Sequence, residues 1–292
     1  MSIVIEEYSM VGCKMLYNIN KRLCQLKETM SPFGGLYVFL FGNIRQLPPV
    51  CDPPLYRNPE YVTDEIVLDG LYIFSLVAKV VQLSQRQKNI IFSQFLKRYS
   101  ECSVTIADRL MMRRRFYKNL SLEQRSKFDD AVHLFSLRKA VNNSNLKKLV
   151  SMNCPVVKIS AENSSRVAAA AKEEKVGLSN IVYLGIGCRV LLRENVCTAI
   201  GLVNGAIGTV IDVLYSSEAT VNQDPASHII IKFDKYNGPC LGNGGVPIER
   251  DIFSWHEGSV YCTRVQFPVS LCYAVTIYRS QGLTLPKNCT SR

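Results

Sequence analysis

Two apolar runs with a helix between them constrain the front of this chain more than any other feature. Ile3-Val4-Ile5 is a short β-branched run that stops at two acids, Glu6-Glu7. Apolar residues then recur at Met15-Leu16, Ile19 and Leu23, the spacing of an amphipathic helix, until Pro32, Gly34 and Gly35 break it. Leu36-Tyr37-Val38-Phe39-Leu40-Phe41 follows as a second strand, continuous enough in apolar character to predict burial on both faces. Strand, helix and strand, with polar groups at the strand ends, is the pattern of a parallel α/β sheet, whose ligands bind at the carboxyl ends of its strands. Glu6, Glu7 and Gln46 fall at those ends.

The rest of the chain divides by texture. Val80-Val81-Gln82-Leu83 reads as another strand leading to Ser84-Gln85-Arg86-Gln87, and residues 90–150 read as mainly helical with a strand near Ala131 to Phe135. Arg113-Arg114-Arg115 reads as a solvated helix face. From about residue 155 short β segments alternate with glycine-rich turns, the signature of an inserted β module. Ser270 to Leu285 returns to α/β texture. The expected domains are a partial first lobe over 1–85, the first part of a second lobe over 86–155, the β module over 156–255 and a return segment over 256–292. The start at Ile3 and the stop after Pro286 both read as interior segments of a longer sequence.

Charge narrows the partner. Among 292 residues, 35 Lys and Arg face 24 Asp and Glu, a net charge of +11, although charged residues are only 20% of the chain. A folded basic chain of this kind meets a polyanion. The 11 cysteines contain no C-x-x-C pair, which argues against a zinc site and for reduced thiols in an intracellular setting. His133, His228 and His256 stand apart from one another and read as ordinary core or surface residues, and Trp255 reads as a packing residue of the β module.

Four segments carry chemistry. The acids Glu6-Glu7 after a buried strand suit nucleotide hydrolysis, one carboxylate holding magnesium through its water shell and the next orienting the attacking water. In Gly42-Asn43-Ile44-Arg45-Gln46-Leu47-Pro48-Pro49-Val50, an amide at a strand end can sense a γ-phosphate, and the prolines stiffen the loop. Arg86 offers a guanidinium to a transferred phosphoryl group. In Thr276-Ile277-Tyr278-Arg279-Ser280-Gln281-Gly282-Leu283-Thr284-Leu285, a hydroxyl, an aromatic, a cation and an amide follow an apolar strand, a strip suited to a nucleic-acid backbone and a nucleotide.

In that order the four segments resemble the PIF (petite integration frequency) family of 5′-to-3′ DNA helicases, a RecD-like branch of superfamily one that includes the helicase part of Helitron transposons. Glu6-Glu7-Tyr8-Ser9-Met10 is similar to its Walker B motif, Gly42 to Val50 to the Gly-Asp-x-x-Gln-Leu-Pro-Pro-Val motif, and Leu83 to Gln87 to the Arg-Gln segment that follows. Gly201-Leu202-Val203-Asn204-Gly205 is similar to Gly-Leu-x-Asn-Gly, and Thr276 to Leu285 to Thr-Ile-His-Lys-Ser-Gln-Gly-Leu-Thr-Leu. The resemblance implies two RecA-like lobes, the first one truncated, with the β module as an SH3-like small barrel. It implies ATP with Mg2+ as cofactor and translocation on single-stranded or forked DNA, in a nucleus or mitochondrion, in the service of repair, recombination or telomere maintenance. It makes Glu7, Gln46 and Arg86 catalytic, Glu6 the metal ligand, Gln281 and Gly282 ATP-binding, and Thr276, Tyr278, Arg279 and Asn204 DNA-binding.

The chain departs from that pattern in telling places. No G-x-x-x-x-G-K-[ST] loop occurs, and the family's closing Val-Ala-Leu-Ser-Arg strand is absent. Glu6 stands for Asp, Asn43 for Asp, Tyr278 for His and Arg279 for Lys. The expectation is that these 292 residues alone hydrolyse no ATP at a helicase-like rate. The alternative reading is a catalytically dead nucleic-acid-binding remnant of a helicase or Helitron.

Overall fold

The computed structural model describes residues 2–82, 90–215, 226–283, 285 and 288–290. Contacts divide the chain into two compact units, Met1–Ser121 and Leu122–Arg292. The division falls later than the lobe boundary expected after residue 85.

In the first unit, strand β1 (Ser2–Ile5) leads through a single turn into helix α1 (Cys13–Leu26), and strand β2 (Tyr37–Leu40) returns parallel to β1. Ser2 lies opposite Tyr37 and Ile5 opposite Leu40, so both strands end level. The α1 periodicity holds: Cys13 and Leu16 are buried with Val11 and Leu55. Helix α1 has no capping side chain of its own at Gly12. Asp52 supplies the cap from the following loop, accepting from the Lys14 and Met15 amides at 3.0 Å each. Helix α2 (Glu65–Ser75), capped by Asp64, adds Val67 and Ile73 to the same core. Helices α3 (Ile90–Ser100) and α4 (Ile106–Arg114) complete the unit, locked by Arg98, which donates two hydrogen bonds to Asp108 at 2.7 and 2.6 Å. Arg113 to Arg115 are exposed, as a solvated face requires.

Two expectations fail here. The first two strands are half-buried, not fully buried: Val4, Tyr37, Phe39 and Phe41 are 56%, 75%, 51% and 49% exposed, because none of the described residues covers that face. Val80 to Gln82 form no strand, and Val80 and Val81 lie exposed, with no ladder partner among the described residues; Leu83 lies outside them.

The second unit opens with helix α5 (Leu122–Ser126), strand β3 (Val132–Phe135) and helix α6 (Arg138–Ser151). The chain then leaves for the β module: β4 (Val156–Ser160), β5 (Glu162–Asn163), the short helices α7 (Arg166–Ala170) and α8 (Glu173–Val176), β6 (Ile181–Gly185), β7 (Arg189–Leu192), β8 (Ile207–Leu214), β9 (His228–Phe233), β10 (Val246–Ile248), β11 (Asp251–Glu257), β12 (Val260–Gln266) and β13 (Val269–Leu271). It returns in β14 (Ala274–Thr276), helix α9 (Ile277–Ser280) and β15 (Asn288–Thr290). Strands β14 and β15 flank β3, both parallel to it, with Thr276 opposite Phe135. The module is thus an insertion between two strands of one parallel sheet, and the return to that sheet comes at Ala274, after β12 and β13.

Inside the module the ladders run antiparallel in the order β10-β9-β8-β7-β13, open at both ends, with β11-β12-β5 and β4-β6 beside them. Val190, Leu192, Val210, Ile229 and Ile231 form its core, all fully buried. The β11–β12 hairpin is fixed by Arg264, which is wholly buried. Its guanidinium donates to the carbonyls of Leu178, Ala168 and Ala171 at 2.8, 2.7 and 3.0 Å and to Asn163 Oδ1 at 2.9 Å, and lies over the Trp255 ring. A buried cation is tolerated because these acceptors replace its water. Trp255 packs within this strand, as expected of it.

Candidate functional site

Each unit holds one cluster of the residues singled out by sequence. In the first, the level ends of β1 and β2 set Glu6-Glu7 beside Phe41-Gly42-Asn43. The ladder continues past the strands: the Phe41 amide donates to Ile5 O at 2.8 Å and the Tyr8 amide to Phe41 O at 3.1 Å. Glu7 takes the left-handed conformation, φ 52° and ψ 42°, which an L-residue with a long side chain adopts at a cost. Gly42, at φ +153°, makes the close approach possible. A Cβ there would lie 3.0 Å from both Tyr8 N and Tyr8 Cδ1 and 3.3 Å from Glu7 Cα.

The loop carrying Gln46 starts from this junction. Asn43 organises it, its side-chain oxygen accepting from the Arg45 amide at 3.0 Å and its carbonyl from the Gln46 amide at 2.9 Å. Glu6 and Gln46 are exposed and Glu7 is half-buried. Just beyond, the Ser9 hydroxyl is buried with no hydrogen-bond partner among the described residues. The structure therefore brings the acids and the Gln46 loop to one sheet end. Arg86 lies outside the described residues.

In the second unit, Asn204, Thr276, Tyr278, Arg279, Gln281 and Gly282 all line a single cavity of about 930 Å3. Thr276 ends β14 and caps α9, its Oγ1 accepting from the Arg279 amide at 3.2 Å, so the strand's carboxyl end turns directly into the segment bearing Tyr278 and Arg279. Asn204 is exposed on its turn, whose amide donates to Asn195 Oδ1 at 2.8 Å. The next residue, Gly205 at φ +95°, lies against Leu283: a Cβ would sit 2.4 Å from Leu283 Cδ2. Two segments about 80 positions apart in sequence thereby share one wall. Residues assigned by resemblance to nucleotide (Gln281, Gly282) and to DNA (Asn204, Thr276, Tyr278, Arg279) line the same cavity.

The electrostatics of this cavity are unusual. The Arg279 side chain reaches solvent, yet the protein packed around its guanidinium draws its pKa down to about 10 by desolvation, reinforced by the positive charges of Arg193 and Arg138 and opposed by Glu173. All four of these charged residues stand on the cavity wall.

One residue that sequence reasoning missed is Asn145 of α6. It is buried, and its amide grips the start of β14: Oδ1 accepts from the Ala274 amide at 2.7 Å, while Nδ2 donates to Ala274 O at 3.0 Å and to Leu271 O at 3.3 Å. The available signal was slight: a polar residue four positions before Leu149, and so on the same face, in a largely polar helix with little apolar periodicity. Among the described residues no three His, Cys, Asp or Glu gather into a metal-binding group. No helix among them is long and apolar enough to cross a membrane.

No protein-family model matches the chain. It is 24% identical over 285 residues to the ATP-dependent DNA helicase Pif1 of Bdellovibrio bacteriovorus, covering 97% of this chain and 58% of that protein. It is 27% identical over 310 residues to Pif1 of Campylobacter jejuni, covering 98% and 62%, and 24% identical to human PIF1, covering 97% and 41%. The chain thus spans about half the length of the curated relatives it matches. Among solved structures, Pif1 from Candida albicans superposes with a TM-score of 0.71 at 21% identity over 98% of this chain and 64% of that one. Bacteroides Pif1 in complex with ADP-AlF3 and ssDNA superposes at 0.70 and 23% identity, over 99% of this chain and 64% of that one. Sequence relatives and fold neighbours agree over almost the whole chain: each of those named is a Pif1 helicase, and this chain is similar to them in sequence and in fold.

Proposed function

We propose that the chain supplies the water-activating end of one sheet and the nucleic-acid cavity of an ATP-dependent DNA helicase of the PIF type, working on single-stranded or forked DNA. The observation that carries the reading is the joined end of β1 and β2. A half-buried carboxylate, Glu7, is held in a left-handed conformation against a glycine, and strain of this kind persists where geometry matters to chemistry. In this reading Glu7 orients and deprotonates the attacking water, Gln46 senses the γ-phosphate, and Arg86 contacts phosphate. Thr276, Tyr278, Arg279 and Asn204 hold the DNA backbone, and Gln281 and Gly282 attend the nucleotide. The relatives named as DNA helicases, and the neighbours solved with ssDNA and with forked dsDNA, support it.

A magnesium ion at the first cluster would have one carboxylate to hold it: Glu6, exposed at the strand end. Glu6 would hold the ion through its water shell, and the ion would neutralise phosphate charge. The nucleus or mitochondrion is the proposed workplace.

The missing phosphate loop sets the expected activity. One lost preorganised donor costs ~3 kcal/mol, and a whole cradle costs more. The test is a titration of fluorescein-labelled oligo-dT with the purified chain, alongside ATP hydrolysis. Salt-sensitive binding with turnover no faster than that of Glu7→Gln supports the reading. An absence of oligonucleotide binding at low salt would refute it. DNA-stimulated turnover abolished by Glu7→Gln would show instead a self-sufficient ATPase.

A further inference from the structure

The hairpin of β11 and β12 leaves one long strand edge open. Its turn is Gly258-Ser259, so Glu257 and Val260 flank a two-residue loop as a hydrogen-bonded pair. Counting back by twos, Asp251, Phe253, Trp255 and Glu257 turn their amides and carbonyls toward β12, and Ile252, Ser254 and His256 turn theirs outward. Two observations agree with this parity. The Ile252 amide donates to Asp251 Oδ1 at 2.7 Å. Thr263, opposite Ser254, likewise faces away from β11: its amide donates to Ser164 Oγ at 2.9 Å and its carbonyl accepts from the Ser164 amide at 3.0 Å.

Among the described residues β11 is the longest strand with an open side, and nothing blunts it. At the edges of the five-stranded ladder, β10 carries Pro247 and β13 has three residues, and β5 has only two. β11 has seven residues, an unbroken register with β12, and no proline or lysine. Such an edge is a template for another strand, and natural sheets normally disguise it. A second copy of the chain fits poorly. Two-fold antiparallel pairing must set outward residues opposite outward residues. Centred on Ser254 it opposes Asp251 to Glu257, and centred on Phe253 it opposes Glu249 to Glu257. Like charges directly opposite each other destabilise a ladder.

Charge selects the partner. The start of the strand is acidic, on a chain whose net charge is +11. Asp251 shares a hydrogen bond with Glu194, which follows β7, and neither forms an ion pair among the described residues. Glu249, two positions before Asp251, is exposed. Arg193 and Arg250, the cations adjoining this group in sequence, are engaged by Glu173 and Glu162. This end of the edge therefore repels phosphate and attracts ammonium or guanidinium. None of these carboxylates, and no residue of β11, lines the cavity that holds Thr276 to Gly282. We propose that the outer edge of β11 is a docking site for an extended basic peptide of a partner protein. The peptide adds as a fourth strand to β11-β12-β5, pairs with the outward groups of Ile252, Ser254 and His256, and sets a Lys or Arg against Asp251 and Glu194.

The probe is fluorescein-labelled Lys-Thr-Val-Thr-Val-Thr-Lys, with Glu-Thr-Val-Thr-Val-Thr-Glu as its acidic counterpart, titrated by anisotropy with the full chain. The basic peptide should bind, and the acidic one about tenfold more weakly at low salt. N-methylation of alternate amides in the basic peptide should lower affinity about tenfold, because strand addition needs those donors. Ser254→Pro should do the same and leave the thermal melt in place, since the Ser254 amide points away from the β12 ladder. Asp251→Asn should lower affinity about threefold. No binding of the basic peptide overturns the site. Equal affinity for the two peptides overturns the charge assignment, and unchanged affinity after N-methylation overturns strand addition even if Ser254→Pro fails to fold. Ser254→Pro that weakens oligo-dT binding and leaves peptide binding untouched overturns the proposal in favour of nucleic acid. A dimer that Ser254→Pro converts to monomer in analytical ultracentrifugation overturns it in favour of a second copy. Oligo-dT binding by the wild type is read separately, so loss of the peptide site leaves the helicase reading standing.

Discussion

Replacing Asn145 by leucine tests how the cavity of the second unit is built. The side chain is buried and makes three hydrogen bonds to the backbone at the root of β14, to Ala274 N, Ala274 O and Leu271 O. Leucine keeps the branched outline, with somewhat larger methyl groups, but leaves the Ala274 amide without this acceptor and two carbonyls without this donor. A buried orphan donor costs about 1–3 kcal/mol and each lost bond about 1 kcal/mol, for a sum of about 3 kcal/mol. Leucine's apolar burial returns roughly 1 kcal/mol. The net loss of about 2 kcal/mol should lower the melting temperature by about 4–8 °C for a unit of this size. Urea denaturation followed by circular dichroism measures the stability, and oligonucleotide anisotropy measures the consequence, because Thr276 lies two residues past Ala274 and Arg279 begins from its cap. A stability change below ~0.5 kcal/mol, with oligonucleotide affinity intact, would show that Asn145 positions nothing.

Three further outcomes follow from the same geometry. Gly42→Ala places a Cβ 3.0 Å from Tyr8 N in a φ region reserved for glycine, and should cost about 1–3 kcal/mol in chemical denaturation. Gly205→Ala drives a Cβ into Leu283 and should loosen oligo-dT binding several-fold, while the combined Gly205→Ala, Leu283→Ala variant, which clears the clash, should recover part of it. The Glu194 carboxyl is pushed up to about 7 by a hydrogen bond shared with Asp251, then by burial and the Asp251 charge. A raised acid is stabilised in its protonated form, so folding stability is full below pH ~4.5 and falls as pH rises toward and through 7. Solvent screening at this part-exposed site holds the effect to about 1 kcal/mol, and Glu194→Gln should flatten that segment of the pH–stability curve.

The sequence disclosed the elements whose signal is local. Strand β1, helix α1 and strand β2 stood out because β-branched runs and a 3.6-residue period need no knowledge of neighbours, and β3 and the β texture of the module did so for the same reason, whereas β6, β10, β12 and β13 did not stand out individually. Burial did not follow, because it depends on what packs against the element: Tyr37 and Phe39 have the composition of a sheet interior yet lie exposed. Val80-Val81-Gln82 has strand composition but no ladder partner among the described residues. The motif segments showed where chemistry belongs, and the cavity gathers Asn204 with Thr276 to Gly282 as only a fold can. Asn145, Arg193 and Glu173 stayed hidden because an asparagine in a helix, or a charge before a turn, looks like solvated surface until its partner arrives from more than 15 positions away.

Single-stranded DNA is proposed to lie against the segment from Thr276 to Gly282. Ultraviolet crosslinking of a 4-thiothymidine oligonucleotide to the chain, with the adducts mapped by mass spectrometry, tests this directly. Adducts are expected on peptides containing Tyr278 and on the Asn204 turn. Adducts confined to other basic surface, such as Arg113 to Arg115, would contradict it.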